Sequence, residues 1–228
     1  MTARWVVDEV APHRDLSITW QPISLVLKNE PEPDSRGYER YRWTHRLLRV
    51  MEAVRAAEGD DAIQSLYWEY GRRIHHDQQR EFEPADALTA VDLDPALAEA
   101  FDDETWDVPI RERMSLGIDL AGEDVGTPII GFRDDDGEKL GLFGPVITRV
   151  PTTEQSLRLW DGFIGMATVP GFWEVKRTRT EEPDFPERPG PHMPVGFGEA
   201  QPHLVEASLP KSSGGGVNGP GLRPHGRR

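Results

Sequence analysis

Gly122-Glu123-Asp124-Val125-Gly126-Thr127-Pro128-Ile129-Ile130-Gly131-Phe132 is the stretch on which the fold turns. Its apolar end favours a strand, and its proline stands at the strand entrance. A proline there is costly unless its missing N–H faces away from the ladder. A cis Thr127–Pro128 bond in a tight entrance turn meets that condition. Downstream, Asp134-Asp135-Asp136-Gly137 reads as a hairpin turn. Leu140-Gly141-Leu142-Phe143 is the return strand, ended by Gly144-Pro145. Thr152-Thr153-Glu154 then opens a last helix, Gln155 to Ala167.

Upstream of that stretch the pattern is helical. Trp106, Ile110, Met114 and Ile118, four apart, predict a helix from Glu104 to Leu120. Pro84 and Pro95 each stand where a helix starts. A helix from Asp60-Asp61 carries Ile63, Leu66, Tyr67, Tyr70 and Ile74, and a longer one from Gly37 carries Leu47, Val50, Met51 and Val54. Leu16-Ser17-Ile18-Thr19-Trp20-Gln21 alternates apolar and polar, which predicts a strand. Ser24 to Glu30 leads into the breaker cluster Pro31-Glu32-Pro33-Asp34-Ser35. Trp5 to Ala11 reads as the end of an amphipathic helix stopped by Pro12, although a strand normally precedes such a helix in an α/β unit.

The order is helix, strand, helical block, strand, hairpin, strand, helix. It predicts an α/β thioredoxin-like sheet with an inserted helical domain and the first strand missing. The expected division is 1–30 with 122–182 for the sheet part and 31–121 for the insert. Residues 183–228 are expected to be a disordered tail, since nine of those 46 residues are Pro and nine are Gly.

Composition narrows the function. The 228 residues carry 40 Asp and Glu against 26 Lys and Arg, a net charge of −14. That disfavours a phosphate-neutralising nucleic-acid binder and an anionic membrane surface. The acidic, charged start is no signal peptide, and the longest weakly polar run, Asp161 to Trp173, is too short to span a bilayer. A cytoplasmic protein is expected. No cysteine is present, which removes disulfides, thiolate metal sites and a cysteine nucleophile from these residues. His75-His76-Asp77 lacks the spacing that puts ligands on one helix face. The acidic runs single out no catalytic pair. There is no Gly-x-Ser-x-Gly elbow and no phosphate-binding glycine loop.

Several motifs in order resemble the actinobacterial DsbA-like oxidoreductases that include the mycothiol-dependent nitroreductase. They are Ser24 to Glu30, Gly71-Arg72-Arg73-Ile74-His75, Gly122 to Pro128, Phe143-Gly144-Pro145-Val146, Leu159-Trp160-Asp161, and Phe172 to Thr180. The resemblance covers about residues 3 to 185. It implies a thioredoxin-fold, DsbA-like reductase working with a mycothiol-type low-molecular-weight thiol on a small electrophile or disulfide, and no tightly bound cofactor. In that family a first strand feeds a Cys-Pro-Trp-Cys-type loop at the amino end of the first helix, where the helix dipole lowers the thiol pKa. Met1 aligns just after that loop, so the resemblance implies a shortened amino-terminal side: an internal start, a true truncation or a decayed paralogue. The resemblance carries Thr127 and Pro128 over as the proline pair beside the thiol, Asn29 as part of the site lining, Tyr38 as a site tyrosine, and His75 within Arg-Ile-His. The competing reading is a non-catalytic binding module that retains the groove.

Overall fold

The computed structural model describes residues 1–134 and 136–185. The chain begins in a helical run: α1 (Thr2–Arg4), a π-helical segment (Trp5–Val10) and α2 (Ala11–Arg14). Pro12 does not stop it, contrary to the sequence expectation. In the wider π turn the Ala11 N–H reaches the Val6 carbonyl, five residues back. The prolyl ring then escapes the clash it would make in an uninterrupted α-helix. The run ends at Asp15, in the left-handed region with φ of 49°.

The strand expected at residues 16–21 does not form. Burial still alternates, with Leu16 buried, Ile18 and Trp20 half-buried and Ser17, Thr19 and Gln21 exposed. The pattern is that of a strand, but a strand is a pairing, and no neighbouring ladder is present among the described residues. Ser24 then caps α3 (Leu25–Asn29), its hydroxyl accepting from the Leu27 N–H at 3.2 Å. The sequence reading had assigned no helix there. Hydroxyl capping lets so short a turn persist.

The helical block follows expectation. It comprises α4 (Tyr38–Glu58), α5 (Asp60–Gly71) continued by a π segment (Arg72–His76), α6 (Pro84–Thr89), 3₁₀ turns at Pro95–Asp102 and Glu104–Trp106, and α7 (Asp107–Ala121). Trp43, Leu47, Val50, Met51, Val54, Ile63, Leu66, Tyr70, Ala87 and Leu88 form its buried core.

β1 (Ile129–Arg133) and β2 (Lys139–Phe143) make a two-stranded antiparallel hairpin with Gly131 opposite Gly141. The Thr127–Pro128 and Gly144–Pro145 bonds are cis. The Pro128 carbonyl accepts from the Gly144 N–H at 2.8 Å, and the Asp134 N–H donates to Glu138 at 3.0 Å. Even-numbered residues of β1 therefore face β2. Ile129, Gly131 and Arg133 turn their backbone groups to the other edge, which has no backbone partner among the described residues. α8 (Thr153–Ala167) starts in a full capping box between Thr152 and Gln155. Its Trp160, Phe163 and Ile164 close a second core with Trp5, Val10 and Leu16, and Ile130, Phe132 and Leu142 of the hairpin pack against it.

α7 joins the two cores. At its amino end Asp107 accepts both arms of the Arg49 guanidinium, at 2.6 and 3.0 Å, and meets His45 Nε2 at 3.0 Å. At its far end Leu120 lies on the hairpin. A Cβ at Gly141 would come within 2.7 Å of Leu120 Cβ, so this close approach requires glycine. The Pro/Gly-rich tail expected from 183 lies outside the described residues from 186 onward. Residues 183–185 have no regular structure, but they are tied down: the Asp184 N–H donates to the Thr148 carbonyl at 2.7 Å.

Candidate functional site

A cavity of about 250 Å³ opens between the start of the helical run and the helical block. One wall is Met1, Ala3, Arg4 and Asp8. The opposite wall is apolar and aromatic, with Leu47 and Met51 of α4 and Tyr67, Trp68 and Tyr70 of α5. Ile74, His75 and His76 of the π segment and Phe185 complete the rim. The sequence builds this wall because α5 and the π segment that continues it carry Tyr67, Tyr70 and Ile74 at spacings of three and four, with His75 and His76 next along the same segment.

The charge around the cavity is mostly paired. Arg4 meets Asp8 at 3.2 Å, and Glu69, almost wholly buried, holds both Arg72 and Arg73. Tyr70 is different. It is 5% exposed, and its buried hydroxyl meets no hydrogen-bond partner. Burial pushes its phenol pKa up, so it is a neutral donor at any ordinary pH. Leaving such a donor unsatisfied costs about 1–3 kcal/mol. His75 is exposed overall, yet Phe185 covers one face of its ring, stacked at 4.9 Å between centroids and 9° between planes. Its pKa is pushed down, first by loss of water around the ring and then by the charges of the amino terminus, His76 and Arg40.

Of the five residues carried over by resemblance, His75 lines the cavity and the others lie apart from its wall. Thr127 is exposed and Pro128 half-buried at the hairpin entrance. Asn29 is exposed at the end of α3, and Tyr38 is half-buried in the first turn of α4. Two contacts bind this second group of elements to the rest. Lys28 Nζ donates to the Glu123 carbonyl at 2.6 Å, tying α3 to the loop before Thr127. Thr2 Oγ1 donates to the Pro145 carbonyl at 2.7 Å, tying the helical run to the second proline turn. The sequence reading missed Tyr67, Trp68 and Tyr70 as site residues, although three aromatics within four positions were a visible signal. It missed Phe185 with no signal at all, since a lone aromatic among prolines resembles any linker.

Among the described residues no three of His, Asp or Glu converge as metal ligands, and no helix is long and apolar enough to cross a membrane.

The chain is mainly helical, with one small antiparallel hairpin and an aromatic cavity at the start of its first helical run. The family profile described as Rv2466c-like, mycothiol-dependent nitroreductase Rv2466c, matches residues 1–177, and the chain belongs to that family. Rv2286c of Mycobacterium tuberculosis (strain ATCC 25618 / H37Rv), described as an uncharacterized protein, is 27% identical to it over 186 residues. That match covers 78% of this chain and 76% of the relative.

Proposed function

We propose that this chain is a DsbA-like, thioredoxin-type member of the family that binds a small electrophile together with a mycothiol-type thiol. The observation that carries the reading is the cavity, which opens at the first turn of the helical run opposite an aromatic wall. Family membership and the order of elements support it. At about 250 Å³ the cavity sits just below the common range for small-ligand pockets, roughly 300–1,000 Å³. It accommodates a small electrophile or one arm of a larger thiol. Tyr70 offers a buried hydroxyl to an acceptor on the ligand. His75 borders the mouth, and Thr127, Pro128, Asn29 and Tyr38, which lie apart from the cavity wall, are assigned to the thiol by the resemblance alone.

The chemistry that a low-molecular-weight thiol supplies is a thiolate for attack on a disulfide or electrophile. The 228 residues hold no cysteine, so these residues bind and orient the reactants and form no mixed disulfide of their own. That same fact favours a second reading, a binding module that keeps the groove without turnover.

Ala3→Cys tests the first reading. It sets a thiol in the first turn, on the cavity wall, where the helix dipole stabilises a thiolate. The pH dependence of alkylation should give a thiol pKa below the ordinary value of about 8.5, and the variant should gain thiol-dependent reduction of a nitroaromatic probe. An unshifted thiol with no reduction overturns the reductase reading. Loss of nitroaromatic binding on Tyr70→Phe, with the fold intact, supports the role given to that hydroxyl.

A further inference from the structure

Residues 181–185 cross from the hairpin side of the molecule to the cavity mouth. They are fixed at one end only by polar contacts at the surface. The Glu181 carboxylate accepts from Thr148 Oγ1 and from the Arg149 guanidinium, and the Asp184 N–H donates to the Thr148 carbonyl at 2.7 Å. From Glu181 to Asp184 every residue is exposed. Phe185 alone is half-buried, stacked on His75 and edge-on to His76 at 5.6 Å.

This is an aromatic ring held at the mouth of the cavity by a weakly attached length of chain. Exposed ion pairs such as Arg149–Glu181 contribute little in water. The stack itself requires only a flat ring against an imidazole, and any planar aromatic molecule can make it. The remaining walls belong to helices with buried cores.

We propose that Glu181–Phe185 is a displaceable strap: Phe185 occupies the place of a planar aromatic ligand on His75, and such a ligand binds by pushing the strap off. The proposal rests on the cavity being the ligand site of the function proposed above, and it requires no turnover. Phe185 is thus a competitor built into the chain. Its cost to a ligand is the free energy of one aromatic stack together with the anchor at Thr148.

The probe is 2-naphthol, a flat neutral aromatic, titrated into the purified full chain and followed by isothermal titration calorimetry. Phe185→Ala should bind it roughly two- to tenfold more tightly, the worth of one aromatic contact. Glu181→Ala, which leaves the ring and loosens only the anchor, should tighten binding by a smaller factor. In the unaltered chain, saturating 2-naphthol should speed cleavage after Glu181, inside the strap, by a glutamate-specific protease; the bond after Phe185 leads into Pro186 and is closed to chymotrypsin. Unchanged or weaker binding in both variants would make Phe185 an ordinary part of the wall and overturn the strap. Slower cleavage in the presence of 2-naphthol would do the same. Displacement by 2-naphthol without any thiol-dependent reduction would count against the reductase reading and leave the strap standing.

Discussion

The helical block and the hairpin side of this molecule are built to different degrees of completeness. In the block, Val50, Val54, Ile63, Leu66, Ala87 and Leu88 are all 0% exposed. Its buried charges are cross-paired, Glu52 with Arg55 and Arg113, Glu69 with Arg72 and Arg73, Asp107 with Arg49 and His45. On the hairpin side, most strand residues are only half-buried, and β1 keeps one edge of backbone groups without a backbone partner. Helices close their own hydrogen bonds within the segment, so a helical region is finished by packing alone. A strand is finished only by a neighbour. One chain therefore carries a settled region and an open one, and α7 clamps them together.

Amide hydrogen exchange gives the largest measure of that difference. The amides of Val50 to Val54, inside α4, should open only with global unfolding. Those of Ile129, Gly131 and Arg133 should exchange faster by a factor on the order of a thousand. Equal protection at the two places would mean that the β1 edge is covered, and the contrast would fall.

Core truncation comes next. Leu66→Ala, at a site with no exposure, should cost about 2–5 kcal/mol in urea denaturation, because the packed helices around it cannot collapse into the void. Leu16→Ala should cost distinctly less. Leu16 is also buried, at 7%, but it lies in a segment without a ladder, which is free to close over the gap. Equal costs would show the segment at 16–21 to be as rigid as the helices.

The clamp gives a third and smaller effect. Gly141→Ala brings its Cβ against Leu120 Cβ, an atom fixed to the backbone of α7, and should destabilise by about 1–3 kcal/mol. Gly131→Ala is crowded by Leu120 Cδ1, at 2.8 Å, the far end of a side chain that can turn, and meets the Leu140 carbonyl only at an ordinary 3.7 Å. The loss of glycine entropy in the unfolded chain offsets part of that contact, so the change should stay below about 1 kcal/mol. A reversed order would place α7 differently on the hairpin.

These contrasts also mark what was legible in the sequence. Helical periodicity at Leu47, Val50, Met51 and Val54 located α4, because the partners of a helix face are set by spacing within the segment. Thr152-Thr153-Glu154 announced the start of α8 for the same reason, with Gln155 as the expected first residue, two past the true one, Thr153. The hairpin was readable because its turn and both strands are neighbours in the chain. Residues 16–21 misled because alternation reports which face is buried and says nothing of whether a ladder exists beside it. Pro12 misled because the π turn that accommodates it has no local signature. Of the site, His75 was marked by its motif, while the aromatic wall was read as core and Phe185 as tail. Both errors have one cause: a cavity is defined by elements distant in sequence, and single positions do not show which apolar residues stop short of full burial.

Acid provides the smallest and most selective test, at the joint between the two regions. His45 Nε2 faces the Asp107 carboxylate at 3.0 Å, so the neutral ring carries its proton there and donates it. Its Nδ1 is buried and has no partner. Protonation would add a buried, unsatisfied donor and a positive charge beside Arg49 and Arg111. Burial is the first cause of the lowered His45 pKa, and those two arginines add to it, while the Asp107 charge opposes them. A folded pKa below the unfolded one means that the unfolded chain takes up the proton first. Stability is then complete above the ordinary histidine value of about 6.5 and declines as pH falls through the folded pKa. His75, also lowered, adds a decline of the same sign. For Asp107, burial opposes ionisation, but the hydrogen bonds and charge of Arg49 and the contact with His45 outweigh it and lower its pKa. Its share is lost only at more acid pH, as pH falls below the usual aspartate value of about 3.9. Below about pH 6.5 and above the aspartate range, His45→Gln, which keeps a donor for Asp107 and cannot be protonated, should flatten the slope of stability against pH. Adding His75→Gln should flatten it further. A slope unchanged by His45→Gln would show that His45 takes up its proton equally in the folded and unfolded chains over that range, and that its burial beside Arg49 and Arg111 does not set the acid response.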